Sequence, residues 1–236
     1  MKKLVCGIVP IHKNMVRDSF EFAVKVTEKT RRNYALRDEE PGDENKYILD
    51  HYAGKILEFG GHIIFNTSPP DLSIKEPNAK SYEPDLYKDS LSIHCKAQRE
   101  VSAIQNMLSH IFQFADKYGN KTQGHYDHKI FDYPKSNDCI MLGLIKRNRA
   151  DENYPVLVQL LTALPLYRLH EHHLFSAPGK KGLQQSKKAV YFGSLVTTSI
   201  REGFSLWESL QLPNEYQHEY DDWTGLYGKP LQIPRS

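Results

Sequence analysis

Asp85, His94 and Lys96 fall within one short stretch, Ser81 to Gln98, reading SYEPDLYKDSLSIHCKAQ. Pro84 and Asp85 enter a predicted strand, and Lys88, Asp89 and Ser90 turn it. Leu91, Ile93 and Cys95 then fall on one face of the returning strand, with Ser92, His94 and Lys96 on the other. Such a hairpin would bring Asp85, His94 and Lys96 to one end. A carboxylate there suits a hard divalent cation, which prefers oxygen donors. A lysine beside it can orient or deprotonate a water while offsetting phosphate charge.

The elements around this stretch must position it. A helix predicted over about residues 45 to 59 has Ile48, Tyr52, Ile56 and Phe59 recurring every three or four residues, and Gly60-Gly61 is expected to end it. It carries Glu58. A strand is expected from His62 to Asn66. Upstream, Val16, Phe20, Ala23 and Val24 mark an amphipathic helix over residues 15 to 30, with Phe22 and Val26 nearer its margin. Residues 33 to 45 read as an acidic loop. Downstream, Val101, Ile104, Leu108, Ile111 and Phe112 favour a helix over 99 to 115, although Phe112-Gln113-Phe114 also alternates as a strand would. Cys139 to Ile145 reads as a central strand, Pro155 to Leu164 as the next, Leu166 to His173 as a short helix and Lys188 to Phe192 as a strand.

In Pro84-Asp85 and Lys96 the chain resembles the PD-(D/E)XK nuclease superfamily, whose signature is Pro-Asp, a spacer, then an acidic residue, any residue and lysine. His94 stands at the acidic position, where imidazole is a poorer magnesium ligand than carboxylate. Glu58 is the candidate to fill that gap, because the segment Tyr52 to Phe59 looks like the helix that carries an inward glutamate in many such nucleases. The order of elements over roughly residues 48 to 195 is similar to that of bacterial type II restriction endonucleases. This resemblance implies a mixed central β-sheet flanked by helices with a restriction-endonuclease-like core, as one domain over 1–236. It implies Mg2+ bound by Asp85, Glu58 and the backbone carbonyl of Cys95, with Lys96 activating water and His94 beside the scissile phosphate. Double-stranded DNA would be the substrate and a homodimer the way to read a palindromic site. Gln98 would orient phosphate or backbone, and base contacts would come from the stretch 99–137, with Asn120, Gln123, His125 and Lys129 as candidates. The same fold could instead serve as a DNA-binding module without cleavage, or as a structure-selective repair or phage nuclease.

Composition fits this reading without demanding it. With 236 residues, 25% charged and 39% hydrophobic, the chain suits one α/β domain. A net charge of +2 excludes a polycation. DNA contact would fall to local groups such as Arg31-Arg32, Lys146-Arg147 with Arg149, and Lys180-Lys181 with Lys187-Lys188. No apolar run suits a membrane helix and the N-terminus lacks a convincing signal peptide, so a cytoplasmic location is expected. Cys6, Cys95 and Cys139 are expected as buried thiols. The aromatic residues after Glu202 suit packing of a terminal segment or an interface.

Rival chemistries find less support. Asp71 competes with Asp85 for the metal, but Asp85 is much nearer Lys96 in sequence and a tight hairpin joins them at little entropic cost. His170, His172 and His173 lack a zinc frame and read as an exposed helix face. His125 and His128 lack the companions of a histidine-metal nuclease. There is neither a phosphate-binding P-loop nor a GxSxG elbow.

Overall fold

A computed structural model describes residues 4–34, 44–74, 83–99, 107–115, 130, 134–147, 151–176 and 187–219. A mixed six-stranded sheet forms the centre. In chain order the elements are β1 (Val5–Ile11), α1 (Lys13–Tyr34), α2 (Glu44–Phe65), β2 (Leu86–Lys88), β3 (Leu91–Arg99), β4 (Ile111–Ala115), β5 (Asp138–Arg147) and β6 (Val156–Pro165). They continue as α3 (Leu166–Glu171), β7 (Lys187–Tyr191), α4 (Phe192–Glu202) and β8 (Gln217–Glu219). The sheet order is β2-β3-β5-β6-β1-β8, and β3 with β5 is its parallel pair. β4 and β7 make a separate antiparallel ribbon.

The sheet is sandwiched between two apolar layers. On one side α2 contributes Ile56, Leu57, Ile64 and Phe65 against Ile93, Met141, Val158 and Leu160. On the other, Phe112, Phe114, Val190, Phe192, Leu195 and Leu169 cover Ile140, Leu142, Leu144 and Leu161. β5 therefore lies buried on both faces from Asp138 to Lys146, which explains its unbroken apolar run.

The predicted hairpin is present, with Leu86 opposite Ile93 and Lys88 opposite Leu91. Asp89 takes a left-handed φ of 51° in the turn, a conformation that aspartate tolerates better than most residues. The central strands after Asp138 and Val156, the short helix after Pro165 and the strand at Lys187 also form as expected.

Gly60-Gly61 does not end α2, and His62 to Phe65 are helical rather than extended. The glycines are there for close approach. A Cβ on Gly60 would meet Val158 Cγ1 at 2.6 Å, and one on Gly61 would meet Met141 Cε at 2.5 Å. The helix ends instead at Asn66, whose φ is 51°, a left-handed cap. In α1 the inward positions are Ser19, Ala23 and Thr27, while Phe20 is exposed. Small side chains on that face let α1 lie close to α2.

Where the helix over 99 to 115 was expected, Arg99 closes β3, Met107–Ser109 form a 3-10 turn and Ile111–Ala115 form β4. The alternation of Phe112 and Phe114 prevails because both side chains are buried under the sheet. Residues 100–106 lie outside the described residues. The stretch 99–137 is thus not loop throughout. β1 was not anticipated, and it lies between β6 and β8. The terminal aromatics pack as expected at Trp207, whose ring lies 6.2 Å from that of Phe65 and whose Nε1 donates to Val5 O at 3.0 Å. Tyr220, Trp223 and Tyr227 lie outside the described residues.

Candidate active site at the open end of the hairpin

β2 is short, and this shortness makes the site. Its ladder stops at Leu86, with one further bond from Asp85 N–H to Ile93 O at 2.9 Å. The next outward-pointing group of β3, the N–H of Cys95, has no strand opposite it. Asp85 Oδ2 accepts it instead, at 2.7 Å. In an extended strand the carbonyl of a residue points to the same side as its N–H, so the Cys95 carbonyl faces the same gap. The Asp85 residue keeps partial exposure, but its carboxylate is turned inward.

Glu58 reaches this gap from α2. It is 4% exposed and is the acidic member of the helix's buried face. Lys55, one turn earlier, places its Nζ 2.6 Å from Glu58 Oε2. The Lys55 stem is held by α1, its ammonium lying 4.9 Å from the centre of the Phe22 ring. Burial, then the negative charge of Asp85, pushes the Glu58 carboxyl up to about 8, and Lys55 only partly opposes this. Asp71 adds to the upward push. Burial likewise raises Asp85, against the Cys95 hydrogen bond and the charges of Lys55, His94 and Lys96. Asp71 is itself exposed, with its Oδ1 accepting the Ser73 N–H at 2.9 Å.

His94, Lys96 and Gln98 share the opposite sheet face, as the alternation requires. His94 is buried and turns Nε2 toward Asp138 Oδ1 at 3.6 Å, too far for a hydrogen bond. The ammonium of Lys96 lies 5.2 Å from the centre of the Phe114 ring. Gln98 Oε1 lies 3.0 Å from His110 Nδ1. The amide of Gln98 and the ring of His110 thus form one polar pair. Burial, assisted by Lys146, lowers His110 to about 4.

The structure thus brings Asp85, Glu58 and the Cys95 backbone together, with His94 and Lys96 in electrostatic reach of Asp85. Gln98 lies further along β3. Asn120, Gln123, His125 and Lys129 lie outside the described residues. Sequence reading passed over Lys55, Asp138 and His110. Lys55 carried a signal, since its three-residue spacing from Glu58 puts both on one helix face.

The donor set suits a hard cation. Its atoms are oxygens, and two carboxyls both raised by burial, with the charge of Asp85 adding to the rise of Glu58, are relieved by a shared positive charge. Burial and both carboxylates raise the Cys95 thiol well above its ordinary value, so it is held as a neutral thiol in the metal-free protein. Among the described residues no group of three or more His, Cys, Asp or Glu side chains is gathered to hold a metal ion. A cation here would therefore complete its shell from backbone and water, as magnesium often does. Among the described residues no helix is long and apolar enough to cross a membrane.

Compared with protein-family models, curated proteins and solved structures, the chain matches none. The site must be argued from its own atoms.

Proposed function

We propose that this chain is a magnesium-dependent endonuclease of restriction-endonuclease-like core that hydrolyses phosphodiester bonds of double-stranded DNA at a specific site, as a type II restriction enzyme does. The observation that carries this reading is the meeting of Asp85, Glu58 and the unladdered Cys95 backbone where β2 stops. It agrees with the resemblance of Pro84-Asp85 and Lys96 to the PD-(D/E)XK pattern.

Asp85, the Cys95 carbonyl and Glu58 would hold the cation. Magnesium, when bound, offsets phosphate charge and acidifies water. Asp85 is fixed for this by the Cys95 N–H, which removes its rotational freedom. Lys96 orients the attacking water and offsets charge on the phosphate. His94 supports the same edge of the site, and Gln98 steadies the backbone. Two copies related by a two-fold axis would present two such sites to a palindromic duplex.

One observation favours a second reading, a DNA-binding module of the same fold without cleavage. His94 replaces an acid and faces Asp138, which leaves two carboxylates where three would be usual. Purified protein incubated with plasmid and magnesium separates the readings. Discrete fragments support restriction, and nonspecific or junction-limited cutting supports a repair-type nuclease. Retention of DNA without cutting supports the inactive module. In an active protein, Asp85→Ala and Lys96→Ala each abolish cleavage and leave DNA binding measurable. Wild-type cutting by either variant would remove that residue from the chemistry.

A further inference from the structure

Lys55 is paired directly with one of the two carboxylates. Its Nζ lies 2.6 Å from Glu58 Oε2, in a pair whose side chains are 13% and 5% exposed. Among the opposing charges felt by Asp85, that of Lys55 exceeds those of His94 and Lys96. Lys96 acts on Asp85 less strongly than Lys55 does, and its ammonium lies 5.2 Å from the centre of the Phe114 ring. The Lys55 ammonium therefore stands at one of the oxygens that a divalent cation would need.

We propose that Lys55 is a resident counter-ion of the site: it holds Glu58 in the metal-free protein and gives up that carboxylate when a divalent cation binds between Glu58 and Asp85. This rests on the metal-site reading above. The physical reason is exclusion. A carboxylate oxygen at 2.6 Å from an ammonium is already saturated on that side, and a monovalent and a divalent cation sharing one buried oxygen repel strongly. The helix makes the exchange simple. Lys55 lies at the half-buried edge of the inward face of α2, and its flexible stem can swing the ammonium out while Glu58 stays buried. Lys55 is on this account a positioning residue, setting how tightly the cation is held.

Mn2+ affinity, measured by titration of the full-length protein at one alkaline pH without DNA, tests this directly. Lys55→Met is expected to bind Mn2+ at least about tenfold more tightly than wild type, since a like charge has been removed from the site. Lys96→Met is expected to shift affinity far less. Unchanged or weakened binding in folded Lys55→Met overturns the proposal. Asp85→Ala serves as the reference. If it binds Mn2+ as wild type does, the metal site is elsewhere and both ideas fall. If it loses Mn2+ while Lys55→Met matches wild type, only the counter-ion role fails. Acetylation of Lys55, followed by mass spectrometry in the intact protein, gives a second readout that needs no substitution. Saturating Mn2+ is expected to raise its labelling several-fold, and unchanged labelling at saturation would overturn the exchange.

Discussion

The carboxylate of Asp85 closes the hydrogen bonding of the hairpin by accepting the Cys95 N–H at 2.7 Å. One side chain thus ends a ladder and, on the proposed reading, would also serve as a metal ligand. Two substitutions separate the roles. Asp85→Asn keeps an acceptor for Cys95, so its thermal stability stays near that of wild type. Asp85→Ala leaves a buried N–H unpaired, at a cost of about 1–3 kcal/mol. Both are expected to lose cleavage. Equal melting temperatures for the two would show that the Cys95 bond contributes nothing.

Glu58 makes the metal-free protein less stable as pH rises. Its ordinary value is 4.5 and burial with Asp85 lifts it to about 8. Between those values the unfolded chain releases a proton that the folded chain keeps, so folding stability falls with rising pH across that window. Above it the loss is complete, and below 4.5 it is absent. Glu58→Gln is expected to flatten the decline and to raise the melting temperature at neutral pH. Parallel wild-type and variant profiles in thermal melts across that window would refute the assignment. Asp85, raised in the same direction, leaves a residual slope.

His110 has the opposite sign. Its ordinary value of 6.5 is lowered to about 4, so between these the unfolded chain binds a proton that the folded chain refuses. Stability is therefore present above 6.5 and is lost as pH falls toward 4. His110→Asn is expected to soften this acid limb. An unchanged acid transition would mean that His110 is not held neutral.

The glycines of α2 divide into two kinds. Added methyl groups at Gly60 and Gly61 would meet Val158 and Met141 at 2.6 and 2.5 Å, whereas one at Gly54 meets nothing within 4 Å. Gly60→Ala should lose about 1–3 kcal/mol through overpacking against Val158. Gly61→Ala should lose less, because the flexible end of Met141 can move aside. Gly54→Ala should gain about 0.5–1 kcal/mol from helix propensity. Denaturant melts of the three variants decide it, and a stable Gly60→Ala would show that the helix can retreat from the sheet.

The hairpin could be read from sequence because its information is local. Alternation, a turn and a Pro-Asp entrance all lie within residues 84 to 96. Glu58 could be found because a helical period made one acid point inward. The end of α2 was misread because the reason for Gly60-Gly61 is Val158 and Met141, far along the chain. β1 was missed for a related reason. VCGIVPI shows no alternation because Cys6, Gly7, Ile8 and Val9 are all buried. It also contains Pro10, which a central strand rarely accepts. That proline is tolerated because β8 pairs only with Val5 to Gly7, so its nitrogen lies beyond the doubly paired part of the strand. Lys55 was passed over because its three-residue spacing from Glu58 does not by itself reveal that the pair is buried.

At the outer side of β2, Ser68 exchanges backbone bonds with Tyr87, its N–H donating to Tyr87 O at 2.7 Å and its Oγ accepting the Tyr87 N–H at 2.8 Å. Lys88 adds a bond to Phe65 O. The margin of the sheet beside the carboxylates is therefore already occupied by the chain's own connector, and a foreign extended segment finds no template there. Self-association into runaway fibrils is resisted at this flank.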